Sequence, residues 1–317
     1  MGSCNPRNSR PPNIKIHRRS VFNLPSLETH CIIIAGHTDS ISEIIQLKDS
    51  RLCSSSWDGT IKIWNKENLK NCDLTIQNPN EESFLCIIQL DDETILCGDS
   101  ENLIFHFSFE KKFPLHLFHG HSDAIYSLVQ LNSNEFASCS EDTIIIIWEI
   151  KTCETKNKLQ GHDGKINKVI LLKNGNLASC SNDCCIKIWN YKEHNKNCIC
   201  TLDNDSCCMT ITELKNGKIA AGYMSKDIKI WDVEKKNVCL NLKGHDNYIS
   251  VIFEHKENEF ISCSYDGVVI FWNLNNKSDD KYKVKSARWH DGNISSVIMF
   301  NGVFASGGYD NLIKIWD

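Results

Sequence analysis

One stretch of this chain recurs every 41 to 44 residues, and that period constrains the fold more than any other feature. Its clearest copy is residues 176–190, NLASCSNDCCIKIWN. Leu177, Ala178, Ser179 and Cys180 read as the end of one strand. Asn182 and Asp183 read as turn residues. Ile186, Ile188 and Trp189 belong to a second, β-branched run. The aromatic residue that ends the pattern falls at positions 64, 107, 148, 189, 231, 272 and 316, with Phe at 107 and Trp elsewhere. A fixed period of this length means one supersecondary unit stacked repeatedly.

Most copies also open with Gly-His: Gly36-His37, Gly120-His121, Gly161-His162 and Gly244-His245, with Trp289-His290 as a fifth variant. In these starts, in the Trp endings and in the period between them, residues 27–317 resemble the WD40-repeat family. The resemblance implies an all-β, seven-bladed β-propeller of four-stranded antiparallel blades. It also implies closure by the N-terminal segment, with residues 28–35 completing the last blade. Ile34 lies three before His37, as Leu159 does before His162 and Leu242 before His245. Such closure removes an open seam of unpaired strand edges. Copies 1, 3, 4, 6 and 7 are complete. Copy 2 lacks Gly-His and has Cys97, Glu101 and Phe107 where Ser, Asp and Trp are expected. Copy 5 lacks Gly-His and has Ala221 and Ser225 for Ser and Asp. These two blades are expected to be the least rigid.

Length alone would allow two domains, but the repeat argues for one propeller over 27–317. Residues 1–26 read as a disordered tail. They carry Arg7, Arg10, Lys15, Arg18 and Arg19 and no acid, so a net charge of −5 leaves about −10 on the remainder. No general nucleic-acid affinity follows from that balance. Gly2 and Cys4 beside this basic cluster are candidates for myristate and palmitate, which would tether the chain to a membrane. Pro6 stands where the acylation motif wants Ser or Thr, and Met1-Gly2-Ser3 also fits an expression scar. The 17 cysteines, with no apolar signal segment, fit a reducing intracellular compartment, cytoplasm first and nucleus second. Cys139, Cys180 and Cys263 each sit between two serines and read as small buried hydrophobes. The denser group of Cys184, Cys185, Cys198, Cys200, Cys207 and Cys208 lacks the paired spacing of a zinc site, so neither metal nor cofactor is expected.

Each complete copy holds a Ser, a His, an Asp and a Trp: His37, Ser54, Asp58 and Trp64; His121, Ser138, Asp142 and Trp148; His162, Ser179, Asp183 and Trp189; His245, Ser262, Asp266 and Trp272; His290, Ser306, Asp310 and Trp316. A Ser-His-Asp set invites a hydrolase reading. Five such sets, with no nucleophile elbow, argue against it. The resemblance implies a structural network in which Trp donates to Ser, Ser to His and His to Asp, satisfying each buried group.

The resemblance further implies a peptide-binding narrow face, with one position before the structural Asp and two flanking the first apolar residue after Gly-His. The first set is Trp57, Ser100, Glu141, Asn182, Met224, Tyr265 and Tyr309. Trp57, Tyr265 and Tyr309 belong to neighbouring blades 1, 6 and 7, and are expected to form one patch. Met224, Tyr248 and Met209 extend it, and Tyr126 lies elsewhere on the same face. Aromatic anchors of this kind mark binding surfaces, and an aromatic cage for a cationic side chain is one form. The expected function is a non-catalytic scaffold for a peptide or protein partner, a monomeric propeller within a larger complex. Alternatives are a substrate receptor of a ubiquitin ligase, a chromatin reader, or a membrane-tethered signalling scaffold. Trp231-Asp232-Val233-Glu234 lacks the Arg of one ligase-receptor class. Pro6, Pro11 and Pro12 exclude the long N-terminal helix of a G-protein β subunit.

Overall fold

In a computed structural model, the described residues are 31–111, 113–193, 198–276 and 282–316. The basic tail, with Gly2 and Cys4, lies outside them. The described residues form seven four-stranded antiparallel sheets, and none of their helices is long and apolar enough to cross a membrane. The seven innermost strands are Ile41–Gln46, Phe84–Gln89, Ile125–Asn132, Ile166–Leu171, Cys208–Glu213, Ile249–Lys256 and Ile294–Phe300. Each packs against the next around a closed ring, blade 7 against blade 1. The outer strand of blade 7 is Cys31–Ala35, which pairs with Leu312–Trp316 in the register Cys31↔Trp316 to Ala35↔Leu312. The N-terminal strand therefore closes the last blade.

Strand alternation explains why the ring holds together. Each blade buries one face against each neighbour, so the seven apolar clusters lie between blades rather than within them. At the closing interface Ile34, Ile313 and Ile315 of blade 7 meet Ile41, Ile44 and Trp64 of blade 1. Each such side chain is worth about 1.5–3 kcal/mol of burial.

Two backbone features recur in all seven blades and set which residues reach the narrow face. The innermost strand carries a bulge after its first residue. A bulge re-aims the residue it displaces, here Ser42, Leu85, Tyr126, Asn167, Met209, Ser250 and Ser295. The turn between the second and third strands ends in a left-handed residue, Gly59, Asn102, Thr143, Cys184, Lys226, Gly267 or Asn311, with φ between 64° and 79°. That geometry lifts the first turn residue to the apex. Its N–H donates to the carbonyl of the adjoining loop at 2.9–3.0 Å in every blade, as from Trp57 to Ser40, Tyr265 to Tyr248 and Tyr309 to Asn293.

Candidate functional site

The repeated polar residues form latches between each blade's entry loop and its hairpin turn. In blade 4 the Trp189 indole donates to Ser179 Oγ at 2.8 Å, Ser179 meets His162 Nε2 at 2.7 Å, and His162 Nδ1 meets Asp183 at 2.6 Å. Blades 1, 3 and 7 hold the same chain of bonds through Trp64–Ser54–His37–Asp58, Trp148–Ser138–His121–Asp142 and Trp316–Ser306–His290–Asp310. Burial pushes the carboxyls of Asp58, Asp142, Asp183 and Asp310 up, but the hydrogen bonds they accept outweigh it and hold them below the usual range. At Gly36 and Gly120 the indole lies against the glycine, so that a Cβ would stand 2.9 Å from Trp64 and 2.8 Å from Trp148. Blade 7 solves the same contact by stacking Trp289 on Trp316 at 4.7 Å.

Blade 6 stops one bond short. Trp272 and His245 both meet Ser262, at 2.7 and 2.6 Å, but His245 Nδ1 is buried without a partner. Asp266 accepts from the Val268 N–H in its own turn. The tetrad expected of His245, Ser262, Asp266 and Trp272 is thus corrected here to a three-membered chain, because the Asp266 carboxylate accepts within its own turn and makes no bond to the imidazole. Burial, only partly opposed by the charge of Asp266, pulls His245 down to about 4.

Blades 2 and 5 carry replacements that the repeat pattern did not reveal. In blade 5 the Trp231 indole donates at 2.8 Å to Tyr223, whose longer side chain does the work of the missing Ser. Lys229 reaches the entry loop through Asn204 and Asp205. In blade 2 the buried Asp99 accepts from Asn78 at 3.5 Å and from the Glu101 and Leu103 N–H groups. Glu101 therefore does not stand in for the structural Asp. Asp99 and Tyr223 share one repeat position, two before the expected Asp, and an Asp or Tyr among serines there is the signal that marks them. Throughout, the tetrad serines are fully buried and each accepts an indole N–H, so none is presented to a substrate as a nucleophile.

The narrow face divides into two halves. On blades 6, 7 and 1, ring centroids run without a break: Tyr248 to Tyr265 at 5.9 Å, Tyr265 to Tyr309 at 6.3 Å, and Tyr309 to Trp57 at 5.1 Å. Trp57 is 42% exposed and Tyr248 36%. The Tyr265 hydroxyl donates to Tyr309, and burial with that neighbour pushes Tyr265 up to about 12. Asn293 lies against Tyr309: its amide donates to the hydroxyl, while its Oδ1 is buried with no partner. Met224 and Met209 are half-buried on the adjoining blade 5. Tyr126, on blade 3, is outside the arc. Its hydroxyl donates to Glu141 at 3.0 Å, and the Lys165 ammonium sits 3.2 Å from its ring centroid. Lys165 is also 3.9 Å from Glu141.

Two thiols, Cys184 and Cys207, stand 4.0 Å apart between blades 4 and 5. Among the described residues no group of three or more His, Cys, Asp or Glu has metal-binding geometry.

Latched hairpins in a closed ring of seven four-stranded sheets define the class, a repeat propeller. The model of the WD domain, G-beta repeat, matches residues 28–65, 112–149, 153–190, 236–273 and 281–317, and the chain belongs to that family. These ranges are the five copies that carry His, Ser, Asp and Trp together. The chain is 29% identical over 133 residues to human apoptotic protease-activating factor 1, covering 39% of this chain and 10% of that protein. It is 22% identical over 310 residues to the ribosome biogenesis protein WDR12 homolog of Nematostella vectensis, covering 93% of this chain and 58% of that one. Both matches span less than two thirds of the relative's length. The WD40 β-propeller domain of Doa1 superposes with a TM-score of 0.77 at 21% identity, over 90% of this chain and 95% of that chain, a likeness of fold alone.

Proposed function

We propose that this chain is a non-catalytic protein-interaction scaffold that receives a peptide or protein partner on the aromatic arc of its narrow face. The observation that carries the reading is the unbroken run of rings from Tyr248 through Tyr265 and Tyr309 to Trp57. Four residues from three successive blades supply one aromatic surface, and Tyr and Trp are the usual anchors of such surfaces. The propeller acts without a cofactor, as one subunit of a larger complex in a reducing compartment of the cytoplasm or nucleus. Substrate-receptor and reader roles would use the same surface. A role in ribosome assembly is favoured among complexes by the Nematostella relative, which runs along nearly the whole chain.

The test is capture of partners from source-cell lysate by the wild type and by a Trp57→Ala/Tyr265→Ala/Tyr309→Ala variant of unchanged melting temperature. A partner held by the wild type and lost by the variant supports the arc. A partner set that is the same for both places binding elsewhere.

A further inference from the structure

The narrow face is strongly acidic, and its charge is unevenly answered. Its entry loops are residues 37–40, 78–83, 121–124, 162–165, 204–207, 245–248 and 290–293. Its hairpin turns are 56–59, 99–102, 140–143, 181–184, 223–226, 264–267 and 308–311. Together they hold sixteen carboxylates and two cations, Lys165 and Lys226. The described loops at the opposite end are nearly balanced, with twelve lysines and arginines against ten carboxylates. A single-signed field over one face attracts ligands of opposite charge.

On blades 3 and 4 the chain answers this field itself. Lys165 lies over the Tyr126 ring, flanked by Glu141. An ammonium over a tyrosine face beside a carboxylate is a satisfied cation–π site. On blades 6, 7 and 1 the same repeat positions supply more aromatic surface and no cation. Their loops carry the exposed carboxylates Asp246, Asp291 and Asp39, one per blade, and no Lys or Arg. Lys314 of blade 7 is committed to Asp310 and to the Trp289 carbonyl. The Asn293 Oδ1, an acceptor beneath Tyr309, has no donor. Aromatic faces, surrounding carboxylates and an unfilled buried acceptor all call for one kind of group: a cation that carries N–H donors.

We infer that the arc is the seat of a lysine or arginine side chain from a basic peptide segment of a partner, held over Tyr265, Tyr309 and Trp57 and oriented by Asn293. This deepens the scaffold reading above and rests on it. Because the Asn293 oxygen is closed off by its neighbours, the entering N–H reaches it only as the Tyr309 ring shifts. Trp57, in contact with that ring, then reports binding through its fluorescence. Asp39, Asp246 and Asp291 draw in the remaining basic residues of the segment, so affinity falls with salt.

The experiment uses the full chain and fluorescein-labelled ten-residue peptides of Gly and Ser carrying three lysines or three arginines, with norleucine and glutamate versions as controls. Binding is read by anisotropy at low and high salt. The inference expects saturable binding of a basic peptide and none of the norleucine or glutamate peptides. It expects a loss of about tenfold in Trp57→Ala and in Asn293→Leu, the size of one desolvated cation–π or buried polar contact. Lys165→Met, across the ring, should leave binding unchanged. Since Asn293→Leu alters a buried site, the exposed Trp57→Ala serves as the variant that cannot fail through folding. Equal binding by wild type and Trp57→Ala would mean attraction to acidic loops only and would overturn the inference. So would basic peptides that bind no better than their norleucine versions. If the lysate partner is lost in the triple variant while no basic peptide binds, the scaffold reading stands and the cation reading falls.

Discussion

Blades 3 and 4 and blades 6, 7 and 1 are built from the same repeat but differ in how completely their narrow-face groups are paired. On the first side each polar group has found a partner: Asp142 and Asp183 hold their histidines, and Tyr126, Lys165 and Glu141 satisfy one another. On the second side His245 and Asn293 keep unpaired buried atoms, and four aromatic rings form a surface with no cation over it. The repeat fixes where side chains arrive, and the local choice of residue decides whether a position is closed by the chain or left for a partner.

The largest effect that separates the two sides concerns the left-handed turn residue. Blade 3 accepts Thr143 and blade 4 accepts Cys184 there. In blade 6 a Cβ on Gly267 would lie 2.0 Å from the His290 carbonyl oxygen. Gly267→Ala should cost about 3 kcal/mol or more, from positive φ and overpacking together. Urea denaturation measures it. A cost below 1 kcal/mol would show that the blade 6 turn is not packed on the blade 7 loop.

The next contrast is in pH dependence. The folded pKa of His245 is lowered to about 4 from 6.5. The unfolded chain therefore binds this proton first as pH falls. Stability from the neutral, buried imidazole is complete above pH 6.5 and is lost as pH drops toward 4, by about 3 kcal/mol in all. His245→Gln should flatten that part of the stability profile. His162 in blade 4 is lowered by burial too, but its bond to Asp183 opposes the shift, so His162→Gln should flatten the profile less. Equal slopes for the two variants would remove the distinction between the blades.

A smaller contrast comes from the carboxylates. Asp183→Ala strands His162 Nδ1 and the Asp163 N–H and should cost about 1–3 kcal/mol. Asp266→Ala removes no bond to His245 and should cost under about 1 kcal/mol. Thermal melts of the two variants decide it, with equal losses counting against the account. The smallest effect is expected for Lys165→Met. Loss of its contact with Tyr126 should cost about 0.5–1 kcal/mol and leave partner capture unchanged.

The fold was largely legible because the period counts blades and the spacing Ile34–His37 matches Leu159–His162, which places the closing strand. The latches were nameable from the recurring His, Ser, Asp and Trp. The substitutes were not. Tyr223 replaces a serine by reaching two residues further along its strand, and Asn78 meets Asp99 from a loop whose length departs from the other copies. Neither stands at the position of the residue whose bond it replaces. The missing bond of His245 left no trace in the sequence, since blade 6 has all four residues of the latch. The aromatic positions of the arc were readable from register. Their ring contacts depend on a bulge in each innermost strand and a left-handed residue in each turn, which non-glycine residues supply in five of the seven blades.

The central claim is that the arc is covered by a partner, and Trp57 allows a direct test. It is 42% exposed, whereas the other seven tryptophans are at most 6% exposed. Acrylamide quenching of the free protein therefore reports chiefly on Trp57, and Trp57→Phe supplies the background. With the partner recovered from lysate bound at saturation, the account predicts that the Trp57 component becomes resistant to acrylamide. Quenching of that component that is unchanged in the complex would contradict it and move the interaction surface off the arc.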